Sequence, residues 1–188
     1  MIELRFHGRG GQGAVMASEL LAQAAFLEGK FPQSFPFFGV ERRGAPVTAF
    51  TRIDAKPISV RTSITEPDIV VVLDASLMRT TRVMAGLKKH GLLLVNTDHP
   101  VVGIEKRFEG RIATVDATAI ALDHGLGSRS TPIVNTAILG ALARASGVVS
   151  IDSVVEAIIR FVPARIEANA DAARDASRGV RMLEAVVA

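Results

Sequence analysis

The chain has 188 residues, a length that fits one domain spanning 1–188. Hydrophobic residues make up 48% and charged residues 22%, so there is apolar material for a packed core and no case for disorder. Cysteine is absent, which excludes disulfides and any thiolate-held iron–sulfur cluster or zinc site on this chain.

The longest apolar stretches, such as Ile69 to Leu73 and Leu92 to Val95, fall far short of the roughly 20 residues a membrane helix needs. The N-terminus lacks the basic-then-apolar layout of a signal peptide. A soluble, cytoplasmic protein without a membrane partner is expected. Net charge is +3, the basic residues are scattered, and Trp and Tyr are absent. No stacking platform for nucleic acid is visible, and the charge reads as a solvated surface that leaves room for a local anion site.

Ile2 to Phe6 alternates apolar residues as a strand does. The run Gly8-Arg9-Gly10-Gly11-Gln12-Gly13 follows at once, and Val15, Leu20, Leu21, Ala24, Ala25 and Leu27 then take helical spacing up to a stop at Gly29. From Phe31 to Pro46 the density of Pro and Gly predicts an ordered loop, and its phenylalanines predict that the loop packs against something. Val47 to Ile53 and Ile58 to Arg61 predict a hairpin around Asp54-Ala55-Lys56-Pro57.

Ile69 to Leu73 is a continuous apolar run of the kind buried on both faces of a parallel sheet. A helix over Ser76 to Lys89 leads to a second such strand at Leu92 to Val95, and Ile112 to Val115 is a third. Ile133 to Ala145 is apolar almost all round, as a buried helix is. Ser150 can cap the next helix, with Asp152 in its first turn, and Ile166 to Val187 reads as a longer amphipathic helix. Together these predict a three-layer α/β/α domain with a mostly parallel mixed sheet, an antiparallel hairpin and a helical C-terminal third.

The glycine run matches G-x-G-x-x-G in a strand-to-helix context, where backbone N–H groups favour phosphate or carboxylate. Gly10, Gly11, Gln12 and Gly13 are therefore candidate binding residues. A dinucleotide site would also need a second strand with an acid at its tip about 20 residues on. That region is the Phe/Pro segment, with Glu28 near the helix end instead. A glycine turn that merely permits tight packing is the plainer reading.

Glu41, Arg42 and Arg43 are a second concentration of chemistry. Arginine suits planar recognition of carboxylate or phosphate, while a Glu–Arg pair fixing the loop, or a subunit contact, is the alternative. Asp74, Asn96 and Asp98 sit at strand ends, where α/β sites form but where caps and turns also need such residues. Asn135-Thr136 opens the buried helix and either orients a loop or caps the helix. His7, His90, His99 and His124 show no metal-ligand spacing.

In order and spacing, three segments resemble the gamma subunit, or corresponding domain, of the pyruvate and 2-oxoisovalerate:ferredoxin oxidoreductases. They are His7 to Gly13, Phe38-Gly39-Val40-Glu41-Arg42-Arg43-Gly44-Ala45-Pro46 with Ala49 to Ile53, and Pro132 to Thr136 with Leu139 to Leu142. The likeness covers nearly the whole chain. It implies a complex that uses thiamine diphosphate, Mg2+, iron–sulfur clusters and coenzyme A (CoA) to turn a 2-oxoacid into an acyl-CoA and CO2. With no cysteine and no Gly-Asp-Gly…Asn-Asn pattern, this chain supplies none of the bound cofactors. They are expected on thiamine-binding and alpha-type subunits and on a ferredoxin-like iron–sulfur subunit, with CoA as co-substrate. The resemblance implies that this domain packs against the thiamine-binding subunits and helps close the CoA side of the site; Glu41, Arg42, Arg43 and Asn135 join the glycine turn as candidate binding residues, with CoA, the 2-oxoacid and a partner subunit all open as what Glu41, Arg42 and Arg43 contact. The Glu-Arg-x-Gly-Ala-Pro form looks closer to pyruvate-type members than to the 2-oxoglutarate type. Asp175-Ala176 replaces a Gly-Tyr often found after the Ala172-Ala173 pair. The rival reading is a non-catalytic nucleotide-binding or regulatory α/β module using the same glycine loop.

Overall fold

Alternation in the first residues produces a strand with two unlike faces. β1 (Ile2–Arg9) turns Leu4 and Phe6 into the main apolar core and leaves Glu3, Arg5, His7 and Arg9 on the other side. The computed structural model describes residues 1–37, 44–99, 101 and 108–183. The glycine turn carries β1 into α1 (Ala14–Leu27), which buries Ala17, Leu20, Leu21, Ala24 and Ala25.

Phe31 to Phe37 corrects the expected loop. It is a strand, β2 (Phe31–Phe37), antiparallel to β3 (Pro46–Asp54), with Phe35 opposite Phe50. Proline cannot donate to a ladder and is tolerated on an edge strand, and β2 is the edge of the sheet. Pro32, Ser34 and Pro36 share one parity, and Ser34 Oγ meets Ser18 Oγ of α1 at 2.9 Å. The antiparallel hairpin is therefore β2–β3. Residues 58–61 form no strand, and the backbone there accepts instead: Val60 O and Thr62 O take Arg52 Nη1 and Nη2 at 3.5 and 2.7 Å.

The apolar runs behave as read. β4 (Ile69–Val72) lies parallel to β1 and is buried throughout. The helix expected over 76–89 is a single turn, α2 (Leu77–Thr80), followed by further turns. A Cβ on Gly86, whose φ is +71°, would fall 1.9 Å from Thr65 O. The chain there presses on a neighbouring backbone instead of winding on.

β5 (Leu92–Asn96) and β6 (Arg111–Val115) continue the parallel sheet. After α3 (Ala117–Asp123), the small pair β7 (Gly127–Ser128) and β8 (Thr131–Pro132) leads into α4 (Asn135–Ser146), α5 (Ile151–Phe161) and α6 (Ile166–Gly179). Ser150 caps α5 as expected, its Oγ accepting from Ser153 N at 3.1 Å. The last helix stops at Gly179, short of the predicted end, and the chain returns as β9 (Arg181–Leu183), antiparallel to β6.

The sheet order is β2-β3-β1-β4-β5-β6-β9, with β3 and β9 the two strands that oppose the rest. This is the mixed, mostly parallel α/β architecture. The longer helices gather over one face, where Gly140 lets α4 meet α6 so closely that a Cβ would sit 1.8 Å from Ala173 O. The other face is covered thinly, by Leu77, Val83 and Phe108 over Val70, Val72, Leu93 and Val95. No helix among the described residues is long and apolar enough to cross a membrane.

Candidate functional site at the glycine turn

In a parallel sheet the C-terminal ends of the strands line up on one side, and the glycine turn lies there, directly after β1. Gly11 and Gly13 have φ of +100° and +83°, a region that disfavours side chains. At Gly13 there is a second reason: a Cβ would lie 2.9 Å from Asn135 Nδ2. The sequence places these residues 122 positions apart (135 less 13), and the fold stacks one on the other. No side-chain cap closes the N-terminus of α1, so its first-turn N–H groups are left for an acceptor from elsewhere.

Gln12 seals the turn from both ends. Its backbone N–H donates to Arg9 O at 3.0 Å, and its Oε1 accepts from Arg9 N at 2.8 Å. Its Nε2 donates to Asp74 Oδ2 at 3.2 Å. Arg9, which sequence reasoning passed over as a variable position inside the motif, is the hub. Its Nε donates to Asp74 Oδ2 at 2.9 Å, Nη2 to Ser76 Oγ at 2.8 Å and Nη1 to Gly44 O at 3.0 Å. Gly10 N donates to Ala45 O and Gly44 N to Gly10 O, at 2.9 and 3.1 Å. The start of β3 is thereby laced to the turn.

Asp74 lies just beyond the end of β4, the parallel neighbour of β1. Burial pushes its carboxyl up, but hydrogen bonds from Ser76 and Gln12 and the charge of Arg9 outweigh this and hold it below its ordinary value. It is a fixed anion, a poor proton acceptor. A strand tip beside a glycine turn is where a dinucleotide fold keeps its ribose acid. Here that acid is already occupied by Arg9, Gln12 and Ser76. Glu28 is occupied too, by Lys30 Nζ at 2.7 Å and Ser150 N at 2.7 Å.

Gly10, Gly11, Gln12, Gly13 and Asn135 therefore come together. Glu41, Arg42 and Arg43 lie outside the described residues. Asn135 is not the cap of α4: Val134 holds that place, and Asn135 Oδ1 accepts from Thr136 N at 2.9 Å. Of the remaining strand-end candidates, Asn96 is structural, its Nδ2 donating to Leu73 O and to Thr118 Oγ1, each at 2.9 Å; Asp98 is exposed, 3.6 Å from His99 Nδ1. No cluster of three His, Cys, Asp or Glu side chains able to hold a metal occurs among the described residues.

Comparison with known proteins agrees with this architecture. Residues 3–179 match the family model described as pyruvate ferredoxin/flavodoxin oxidoreductase. The pyruvate/ketoisovalerate oxidoreductases common subunit gamma of Pyrococcus abyssi is 56% identical over 188 residues, covering 98% of this chain and all of that one. Pyruvate synthase subunit PorC of Methanothermobacter marburgensis is 54% identical over 93% of this chain and 94% of its own. The crystal structure of the pyruvate oxidoreductase subunit PORC of Thermotoga maritima superposes with a TM-score of 0.82 at 40% identity. It covers 97% of this chain and 98% of that chain. The sheet, the glycine turn at the end of β1 and the match along nearly the full length lead to one conclusion: the chain belongs to the pyruvate ferredoxin/flavodoxin oxidoreductase family, as a gamma-type subunit.

Proposed function

We propose that this subunit serves a thiamine-dependent, CoA-acylating complex that converts a 2-oxoacid and CoA to acyl-CoA and CO2, passing the electrons to ferredoxin or a related acceptor. Within it, the strand-end surface around Gly10 to Gly13 and Asn135 binds or positions the anionic co-substrate and takes no part in proton transfer. The observation that supports this most is the pairing of an uncapped helix start with an acid already neutralised by Arg9. The first attracts negative charge, and the second removes the local repulsion that would oppose it.

The chain has no cysteine for a cluster, and its described residues offer no metal-ligand group. This reading therefore places thiamine diphosphate, Mg2+ and the iron–sulfur clusters on partner subunits. Pyruvate and ketoisovalerate, named for the relatives, are the substrates to try first. Phe31 and Phe37 are 43% and 57% exposed in the isolated chain, and we read them as part of the surface that a partner subunit covers.

The test is reconstitution. The chain is combined with its thiamine-binding and iron–sulfur partner subunits, and dye reduction is followed with 2-oxoacid, CoA and each subunit omitted in turn. Activity should require all of them. Turnover by this chain alone, or turnover indifferent to CoA, would overturn the proposal. Tight binding of a nucleotide by the isolated chain, with no effect on such a complex, would favour a regulatory nucleotide-binding module instead.

A further inference from the structure

Three elements converge on the side chain of Arg9. It belongs to β1, its Nε and Nη2 reach Asp74 and Ser76 beyond β4, and its Nη1 reaches Gly44 before β3. An ordinary surface ion pair contributes little, because two flexible chains must be held in place and solvent screens them. This contact differs in kind. The guanidinium is a rigid fork, each of its nitrogens is engaged, and each engagement is with a different residue.

Asp74 answers in the same way. Oδ2 accepts from Arg9 Nε and Gln12 Nε2, and Oδ1 accepts from Ser76 N and Ser76 Oγ at 2.9 and 2.6 Å. Rotation of either side chain would break bonds on both sides of the turn. Neither group is free to touch a reacting atom, so any role in the reaction is indirect.

We propose that Arg9 and Asp74 are positioning residues: together they clamp the glycine turn to the start of β3 and the end of β4, and so set the position of the turn's remaining N–H groups toward CoA. The assignment rests on the CoA reading above. Lysine could keep the charge at position 9 but not the fork. Asparagine at 74 would keep the shape and lose the charge. The clamp needs both features, so neither conservative change should preserve it.

The experiment uses the assembled complex with Arg9→Ala, Arg9→Lys and Asp74→Asn, after assembly and melting have been checked. CoA dependence of the wild-type complex is measured first, and its absence would overturn the functional reading itself. Given that dependence, each variant should raise KM for CoA by roughly tenfold or more, the equivalent of one lost charge-assisted hydrogen bond. The CoA-independent decarboxylation half-reaction should keep its rate. Hydrogen exchange in the same complexes reads the clamp directly. The amides of Gly10 and Gly44, bonded to Ala45 O and Gly10 O, should exchange faster in every variant. Unchanged exchange would overturn the clamp whatever the activity. Faster exchange with an unaltered KM for CoA would overturn the link to the co-substrate. A variant that loses kcat and KM effects together with assembly would show a purely structural role and overturn the assignment as well.

Discussion

The two faces of β1 solve different problems with the same eight residues of backbone. On one face Leu4 and Phe6 are fully buried against α1 and the other long helices, in the main apolar core. On the other face Glu3, Arg5, His7 and Arg9 stand in a row under a thin cover. Each has found a partner: Arg52 Nε donates to Glu3 at 2.8 Å, Arg5 Nε to His7 Nε2 at 3.0 Å, and Arg9 Nε to Asp74 at 2.9 Å. Apolar packing is non-directional, so the first face sets stability more than detail. Hydrogen-bonded charges are directional and costly to leave unpaired, so the second face sets geometry. Its last member, Arg9, is the one that reaches the glycine turn.

The comparison can be broken most severely from the apolar side. Phe6→Ala would leave a cavity in a region with no water-accessible surface, at a cost of about 3–5 kcal/mol. Denaturant unfolding should show a lower midpoint with an unchanged slope. The variant should still bury the polar row.

On the charged face the sharpest test is pH. Burial, reinforced by the positive charge of Arg5, lowers the pKa of His7 from 6.5 to about 4, with a backbone contact at Val83 opposing. Above pH 6.5 both folded and unfolded chains carry a neutral imidazole, and His7 makes no pH-dependent difference. As pH falls from 6.5 towards 4, the unfolded chain takes up a proton that the fold excludes. Stability should therefore drop over that window by about 3 kcal/mol and level off below it. Urea melts at a series of pH values would measure this, and His7→Gln should remove that component of the slope.

Arg52 carries a smaller expected effect. It is 1% exposed, donates to Glu3, Gln33 and the backbone at Thr62, and lies 5.3 Å from the Phe35 ring centroid. Arg52→Lys keeps the charge and loses the fork, with an expected cost of about 1.5–3 kcal/mol by thermal or denaturant unfolding. A loss no larger than that of a surface lysine swap would mean that the face is held by packing after all. The smallest effect lies outside both faces. Ser150→Ala removes the α5 cap and should cost about 1 kcal/mol, with Ser150→Asp restoring most of it.

The sites that were hardest to foresee are those where distant residues meet. Arg9 looked like filler inside a motif because its partners at Gly44, Asp74 and Ser76 are far along the chain. Asp74 was visible as a strand-end acid, and its neighbourhood with Gln12 was not. β2 was hidden by Pro32 and Pro36, which argue for a loop unless the strand is known to be at an edge. The turns after α2 were hidden by apolar residues that suit a helix locally and are buried in another geometry.

The amino-acid sequence by itself determined the parallel centre of the sheet, the glycine turn and the buried α4. Continuous apolar runs and left-handed turns are local properties, written in neighbouring residues. It also settled that no thiolate cluster is held here, since the chain has no cysteine. Only the tertiary structure decided which strand is the edge, where α6 ends, and which charges neutralise one another. Those outcomes depend on what lies across the sheet, and Arg9 acquires its role only when β1 and β4 end where β3 begins.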